Sequence, residues 1–248
     1  MAGHRPYPPP RAPWAMAMRW ERLLFMHWPV PADALRPHVP DALEIETCDG
    51  TAWLGIVPFT MAGVRARCTP AVPGLSAFHE LNVRTYVRHG DFAGVWFFGL
   101  DAAHRLGVEA ARRVFHLNYL MAAMRLSERA GAIEYRSTRT DARGGPAELD
   151  VRYAPMGEPR PAAPGSLEAF LTDRYRLFAS DLTPREHPRV WKGEIDHGPW
   201  PLAPAECEIR ANTMADPIGV PLPGTPPLLH YAHELAVRAW LPGRVSVD

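Results

Sequence analysis

Three polar residues alternate with apolar ones along one extended segment in the first half of the chain. Glu80, Asn82 and Arg84 occupy every second position of the segment 78–87, which is rich in Val, Thr and Tyr and lacks Pro and Gly. This pattern predicts a strand with the three polar side chains on one face. Glu80 and Arg84 lie about 13 Å apart along such a strand, too far to pair directly, and Asn82 lies halfway between them. An acid, an amide and a base at this spacing are suited to sharing a ligand.

A second, apolar segment predicts that this polar row is enclosed. Residues 94–100 (GVWFFGL) are apolar on both faces, which is typical of a strand buried on both sides, and a turn at Gly90 joins the two segments as a hairpin. A polar row beside aromatic side chains needs protein partners, ordered water or a ligand. We therefore expect a pocket whose aromatic walls are Trp53, Trp96 and Phe98. The alternative is a one-sided sheet whose polar face is open to solvent.

The composition argues against several classes of protein. The 248 residues carry 27 basic and 27 acidic side chains, so there is no electrostatic reason to expect a nucleic acid as partner. The sequence shows neither a signal peptide nor an apolar run of about 18 residues. Its three cysteines are widely spaced and lack a CxxC pair, which fits reduced thiols. We therefore expect a cytoplasmic protein that does not bind a membrane.

The standard catalytic and cofactor motifs are not found in the sequence. It contains no GxSxG, P-loop, GxGxxG or HExxH pattern, and its eleven histidines show no metal-ligand spacing. We therefore predict neither a metal site nor a cofactor. Lys192 is the single lysine, so it is the one side-chain amine that could form a Schiff base.

The order of the elements predicts an α+β fold with a mainly antiparallel sheet. Residues 1–13 are proline-rich and predict a flexible tail, and residues 14–248 predict a single domain. Asp49-Gly50 predicts a hairpin, and Pro58 the end of its second strand. The other segments are assigned from hydrophobic spacing and capping residues: strands over 18–28, 132–140, 149–153, 189–196, 206–211 and 228–241, helices over 32–39, 102–115 and 167–179, and an ambiguous segment over 117–125.

Longer motifs cover nearly everything after residue 18 and include the polar strand itself. They are LLFMHWPV (23–30), LRP (35–37), AWLGIVPF (52–59), ELNVRTYV (80–87), GVWFF (94–98), LDA (100–102), AR (111–112) and LEAFLTDRY (167–175). Together these motifs resemble those of the YqjF-like proteins, domain-of-unknown-function family 2071.

That family is in turn distantly similar to acetoacetate decarboxylase. The shared pattern runs through DALR (33–36), VP (39–40), LEI (43–45) and the aromatic-x-Glu that ends at Glu80. The resemblance implies a cone-shaped antiparallel β-barrel that encloses a pocket and carries a few flanking helices. It also implies that the pocket glutamate of the decarboxylase corresponds to Glu80, in agreement with the choice made from the strand pattern.

The same resemblance changes the expected chemistry. It implies that Tyr119 occupies the position of the Schiff-base lysine, and that a second acidic pocket residue falls near Gly55. The arginine that binds the substrate carboxylate falls near Glu21, where Arg22 or Arg19 could replace it. Tyr119 cannot form an imine, so decarboxylation by the lysine route is not expected.

Two functional hypotheses use these residues. In the first, the protein binds a small, partly apolar, anionic organic molecule, for which Arg84 and Arg22 supply positive charge and Glu80 and Asn82 supply hydrogen bonds. We favour this hypothesis because one acid and one arginine support binding more readily than turnover.

In the second hypothesis, the protein is an enzyme that does not use covalent catalysis. Glu80 is then the general acid or base, and Tyr119 or His116 is its proton partner for enolisation, dehydration or a similar reaction of a keto acid. A third alternative is that Glu80, Asn82 and Arg84 form only an internal polar network. The sequence leaves the existence of a homo-oligomer open.

Overall fold

The computed structural model describes residues 4–180 and 189–245. Within these ranges the predicted α+β architecture, made mainly of strands, is confirmed, and no helix is long and apolar enough to cross a membrane. The strands are β1 (Met16–Val30), β2 (Glu44–Ile45), β3 (Ala52–Ala66), β4 (Phe78–His89), β5 (Phe92–Ala102), β6 (Tyr119–Arg129), β7 (Ala132–Arg139), β8 (Glu148–Pro155), β9 (Arg176–Ser180), β10 (Val190–His197), β11 (Leu202–Asn212), β12 (Leu228–Ala239) and β13 (Gly243–Arg244). The helices are α1 (Ala32–Leu35), α2 (Arg105–Val114) and α3 (Leu167–Thr172), with 3-10 turns at Arg36–His38 and Asp216–Ile218.

The strand pairings run in a closed circuit. β5 pairs with β4, β4 with β3, β3 with β1 and β1 with β12. β12 then pairs with β10, β10 with β9, and β9 returns to β5. A second arm, β6–β7–β8–β11, also joins β5 to β12. The β5–β6 and β5–β9 pairs are parallel, and the others among the described strands are antiparallel, as predicted.

A bulge in β1 changes which of its residues face the interior. The register between β1 and β3 shifts after Glu21, and Arg22 has a φ of 57°. Even-numbered residues up to Trp20 line the interior, whereas odd-numbered residues do so from Leu23 onwards. Because the bulge reverses the alternation, Arg22 is the residue at which the strand changes face.

A second irregularity lies in β5, directly opposite the polar row of β4. Val83 pairs with Gly99, but the next residue, Arg84, pairs with Phe97. Phe98 is therefore left without a partner on β4. Because of this extra residue, Phe97 and not Phe98 faces the interior beside the polar row.

The turn predicted at Asp49-Gly50 is present: Cys48 and Thr51 exchange backbone hydrogen bonds of 2.9 and 3.0 Å, and both turn residues have positive φ. The predicted hairpin does not continue beyond this bridge, because β2 pairs with β4 instead of β3. The prediction for Pro58 is wrong. Pro58 does not end β3, which continues through it. The β1–β3 pairing is interrupted opposite Pro58, and a strand tolerates proline at such an irregular site.

The helix predicted over 167–179 is also too long. It begins as predicted, with Ser166 Oγ accepting a hydrogen bond from the backbone N–H of Ala169, but it ends at Thr172. Residues 176–180 instead form β9, which lies between β5 and β10. Pairing within the sheet outweighs the local helix propensity of this segment.

The described residues of the proline-rich segment, 4–13, make contacts with the sheet. The flexibility predicted for this segment stays a prediction. The Arg5 guanidinium donates to the backbone oxygen of Ile195 at 2.7 Å and to Asp196 Oδ1 at 2.9 Å. The Trp240 indole donates to the backbone oxygen of Ala12 at 2.6 Å. A proline-rich composition does not indicate these hydrogen bonds, because their partners lie far away in the sequence.

The close contact between β5 and its parallel neighbour β9 provides a test of the circuit of strands. A Cβ atom on Gly94 would lie 2.9 Å from the backbone oxygen of Arg176 and 2.8 Å from the Phe178 ring. We expect Gly94→Ala to lower the free energy of unfolding by about 1–3 kcal/mol, because the Arg176 backbone cannot move away from the new methyl group as a flexible side chain could. Urea unfolding followed by circular dichroism measures the change.

Gly99→Ala, in the same strand, is the matched control. A Cβ atom there would meet its nearest neighbour, Arg139 Nη2, at an ordinary contact distance of 3.5 Å. We expect a change of less than about 1 kcal/mol. Equal losses in the two variants would contradict the described packing of β9 on β5.

Candidate functional site

A cavity of about 290 Å³ lies inside the circuit of strands. Its polar wall is β4, where Glu80, Asn82 and Arg84 all face the interior, as the alternation predicts. The strands beside it contribute an apolar wall. All the lining residues from β1 and β3 are apolar: Met16, Met18, Trp20, Leu23, Phe25, Val57, Phe59, Met61 and Val64. The three polar side chains of β4 thus face an apolar wall formed by β1 and β3.

Glu80 is the acid of this enclosure. Its side chain is 2% exposed, and its carboxyl oxygen Oε2 accepts a hydrogen bond of 2.9 Å from the Tyr119 hydroxyl. Burial raises the pKa of Glu80 to about 8, against the smaller opposing effect of the Tyr119 hydrogen bond. The carboxyl group is therefore mainly protonated at neutral pH.

Two tyrosines fix Glu80 from the neighbouring strands. Tyr119 is the first residue of β6. Its burial, and to a smaller extent the nearby Glu80, raise the pKa of its hydroxyl well above the usual range, so this group remains a hydrogen-bond donor. Tyr135 on β7 donates from its hydroxyl to the backbone oxygen of Glu80 at 2.8 Å. Both the backbone and the carboxyl group of Glu80 are thus held in place.

Arg84 is the base of the enclosure, and it has no counter-ion there. Its side chain is 8% exposed, and Nη2 donates to the backbone oxygen of Leu171 at 2.9 Å. The guanidinium carbon lies 5.4 Å from the Phe25 ring centroid and 5.7 Å from that of Tyr86. Within the described part of the chain, no carboxylate lies within 4 Å of Arg84, and its Nε atom has no hydrogen-bond partner.

Two other arginines reach the cavity, but each has a carboxylate beside it. Arg174 forms an ion pair with Glu46, and its Nε atom donates to the backbone oxygen of Phe170. Arg176 Nε lies 3.6 Å from Glu194 Oε1. Both carboxylates are shared: Glu46 also contacts Arg88, and Glu194 also contacts Arg5 and Lys192. Among the described residues, Arg84 differs from Arg174 and Arg176 in that no carboxylate lies within 4 Å of it.

Behind Arg84, a glycine and a neutral histidine make room for it. A Cβ atom on Gly55 would lie 3.1 Å from the His27 ring and 3.3 Å from Cγ of Arg84. His27 Nε2 lies 2.7 Å from the Tyr86 hydroxyl, which itself donates to the backbone oxygen of Leu171. Burial is the larger cause, and the nearby Arg84 the next, of a pKa of His27 well below its usual range. His27 is therefore neutral and adds no charge.

Asn82 lies between the acid and the base. Its side chain is 6% exposed, it lines the cavity, and its Oδ1 atom has no hydrogen-bond donor among the described residues. An amide that is buried and incompletely bonded is one of the few groups here with hydrogen-bonding capacity left for a ligand.

Several residues that the sequence assigned to the site do not line the cavity. Trp96, Phe98 and His116 line a separate recess on the other face of β5, and His116 stacks on Trp191 at 4.0 Å between ring centroids. Trp53 packs instead against a separate apolar cluster around Tyr86. These placements correct the predicted aromatic walls and remove His116 from contact with Glu80.

Arg22 also lies away from the cavity. At the bulge its side chain turns outwards, where Nε lies 3.1 Å from Glu128 and Nη1 lies 3.2 Å from Glu21. The physical reason is the positive φ of Arg22. It shifts the inward–outward alternation of the β1 side chains by one position at this residue.

The cavity walls that sequence analysis missed come from the shifted registers. Phe97 and Leu100 line the cavity from β5, and Phe25 lines it from β1. Gly99 was the available signal, since a glycine inside a strand often marks a bulge. No comparable signal marks Arg22.

Lys192 lies on β10 and is not among the residues that line the cavity. Its Nζ atom lies 3.7 Å from Glu194 Oε1 and 4.7 Å from the Phe92 ring centroid, and its side chain is partly exposed. The described residues also contain no group of three or more His, Cys, Asp or Glu side chains arranged to hold a metal ion.

With this geometry in place, the chain can be compared with known proteins. The model of domain-of-unknown-function family 2071, described as an uncharacterized conserved protein, matches residues 17–236. The chain belongs to this family. The uncharacterized protein YqjF of Bacillus subtilis (strain 168) is 42% identical over 227 residues, which are 92% of this chain and 91% of that protein. The resemblance found from the motifs is confirmed.

Solved structures share the fold at low identity. The enduracididine biosynthesis enzyme MppR is 12% identical with a TM-score of 0.68, over 95% of this chain and 89% of that chain. Acetoacetate decarboxylase from Legionella pneumophila is 11% identical with a TM-score of 0.65, over 97% and 93%. An acetoacetate decarboxylase-like enzyme from Sphingomonas wittichii RW1 is 14% identical with a TM-score of 0.63, over 100% of both chains. The predicted similarity to the decarboxylase fold is confirmed.

The buried acid predicts how stability depends on pH. In the folded protein Glu80 has a pKa of about 8, above the usual glutamate value of 4.5. The folded state therefore holds this proton between pH 4.5 and 8 while the unfolded state releases it. We expect the free energy of unfolding to fall by about 1.4 kcal/mol per pH unit across this window, relative to Glu80→Gln, which carries no titratable proton there.

Urea unfolding of both proteins at pH 5, 6, 7 and 8 measures this difference. Glu44→Gln, which alters an exposed glutamate, is the control and should parallel the wild-type protein. A constant difference between Glu80→Gln and wild type over this range would mean that Glu80 is ionised in the fold.

Proposed function

We propose that this protein binds a small, partly apolar organic carboxylate in the cavity, with the Arg84 guanidinium as its counter-ion. The observation that carries this proposal is the burial of Arg84 without a carboxylate partner among the described residues. A buried charge without a partner is unfavourable, and a carboxylate forms strong, bidentate hydrogen bonds with guanidinium. A ligand of this type therefore completes the site.

The state of Glu80 supports a negatively charged ligand. A protonated Glu80 neither neutralises Arg84 nor repels an anion, and it adds an O–H donor to the cavity. Asn82 lies on the same face of β4, and its unpartnered Oδ1 atom can accept a hydrogen bond from a donor group elsewhere on the ligand. The polar wall thus offers one positive charge, one O–H donor and one amide acceptor.

The enclosing strands support a small-molecule container. We propose that the closed circuit of strands is the barrel implied by the resemblance to acetoacetate decarboxylase, with the ligand inside it. One solved structure of MppR is complexed with pyruvate, which is a carboxylate. At 13% identity the likeness to that structure concerns the fold alone, but it supports the idea that this fold accommodates a carboxylate.

The proposed ligand is held without a covalent bond. Tyr119, at the position that the resemblance gives to the Schiff-base lysine, is engaged with Glu80 and has no amine. Lys192 lies outside the cavity lining, beside Glu194. The proposal therefore does not include decarboxylation through an imine.

A second candidate function is a lysine-independent enzyme. It is favoured by one observation, the hydrogen bond of 2.9 Å between Tyr119 and Glu80, whose pKa of about 8 suits proton transfer near neutral pH. Glu80 would then move a proton at the carbon beside a keto group, with Tyr119 as its hydrogen-bond donor.

Exchange of carbon-bound protons separates the two candidates. If the protein enolises keto acids, proton NMR in D2O should show that it accelerates deuterium uptake into acetoacetate or pyruvate. Glu80→Gln should abolish the acceleration, because the amide does not accept and return the proton. No acceleration by the wild-type protein, under conditions where it binds these acids, would remove the enzyme candidate and leave binding alone.

The binding proposal predicts a specific loss in an Arg84 variant. We expect the wild-type protein to bind hexanoate more tightly than hexanamide in isothermal titration calorimetry. Arg84→Gln should weaken hexanoate binding at least about tenfold, since a hydrogen bond to a charged group contributes about 1.5–3 kcal/mol.

Arg152→Gln, which alters an exposed arginine on β8, is the matched control and should bind hexanoate as the wild type does. Equal affinities for the acid and its amide in wild type, or an undiminished affinity in Arg84→Gln, would overturn the proposed role of Arg84.

A further inference from the structure

The cavity extends well beyond the polar groups of β4. Arg84 and Phe78 both line it, and these residues are about 20 Å apart along the strand. Arg84 is 8% exposed, whereas Leu75, which also lines the cavity beyond Phe78, is 50% exposed. The charged end of the cavity is therefore closed, and its opening lies at the far, apolar end.

The walls of this outer part are mostly apolar and adaptable, and the polar side chain beside Phe78 is that of His104, whose ring stacks on Phe78 at 5.4 Å between centroids. Met16 and Met18 from β1, and Met61 and Val64 from β3, line it on one side. Met61 pairs with Phe78, so these residues lie at and beyond the end of the polar row. Methionine side chains adjust to apolar ligands of different shapes, because they are unbranched and polarisable.

Helix α2 leaves space on another side of the cavity. The residues with which it lines the cavity, Gly107, Ala110 and Ala111, have small side chains or none. A space bounded by methionines and small residues holds water poorly, since water needs about two to four polar partners.

We propose that the ligand is an amphipathic monocarboxylate, with its carboxylate on Arg84 and an extended alkyl or aryl tail that runs past Glu80 towards the opening at Leu75. This inference rests on the proposed function, which supplies the carboxylate site. A ligand as small as pyruvate leaves the methionine-lined part unfilled, whereas a tail removes that apolar surface from water. The tail points outwards because the cation lies at the closed end.

A series of straight-chain acids tests this inference. Isothermal titration calorimetry measures the dissociation constants of butanoate, hexanoate, octanoate and decanoate with the full chain, and those of the alcohols of equal length. We expect the acids to bind about fourfold more tightly for each added methylene, which corresponds to about 0.8 kcal/mol, until the tail reaches the opening.

Two variants locate the tail. Met61→Trp fills the outer cavity, and we expect it to weaken decanoate at least about tenfold while butanoate binds as before, because the Arg84 end is unchanged. Met16→Trp narrows the cavity closer to the opening and gives the same test at a half-buried position if Met61→Trp does not fold. Met156→Trp, at an exposed methionine outside the cavity, is the control and should not change either affinity.

The outcomes separate this inference from the function on which it rests. An affinity that does not rise with chain length, or a decanoate affinity that Met61→Trp and Met16→Trp leave unchanged, overturns the amphipathic ligand and leaves the Arg84 carboxylate site in place. If none of the four acids binds, or if the alcohols bind as tightly as the acids, the carboxylate site and the inference both fail.

Discussion

The structure depends on one constraint, the burial of an arginine whose charge the described residues do not balance. Removing a cation from water is unfavourable, and Arg84 recovers part of that energy from the Leu171 backbone oxygen and from the faces of Phe25 and Tyr86. Its neighbours fit around it: Gly55 leaves space, and His27 remains neutral. Because the described residues provide no counter-ion for this buried charge, the site is suited to an anionic ligand.

The acid of the site, Glu80, favours an anion in the same way. An ionised Glu80 would place a negative charge in the apolar cavity and reduce its attraction for an anion, whereas burial keeps this carboxyl group protonated. Tyr119 then serves as the donor to Glu80 at the position where the resemblance places a lysine in acetoacetate decarboxylase. The chain therefore combines a decarboxylase-like fold with a tyrosine at the position that the resemblance gives to the lysine, and the proposed binding does not require an amine.

The sequence predicted the polar face of β4, the hairpin with β5, the α+β class and the family, because alternation, turn residues and long motifs are local signals. It did not predict the bulges at Arg22 and Phe98, each of which reverses the direction of every later side chain in its strand. Arg22 and Phe98 were misplaced for this reason, whereas Trp96 was misplaced because it pairs with Thr85 and therefore lies on the opposite face of the hairpin from Arg84. The strand partners of residues 176–180 are equally non-local, so local helix propensity did not indicate β9.

The central claim is that the cavity carries the charge of Arg84 beside a neutral Glu80. Carbon-13 NMR of protein labelled at the glutamate carboxyl carbon measures it directly, with the Glu80 signal assigned by its loss in Glu80→Gln. We predict that this signal titrates near pH 8, well above those of the exposed glutamates. A signal that titrates between about pH 4 and 5, like an ordinary glutamate, would show that Glu80 is ionised at neutral pH and would contradict a neutral Glu80 beside Arg84.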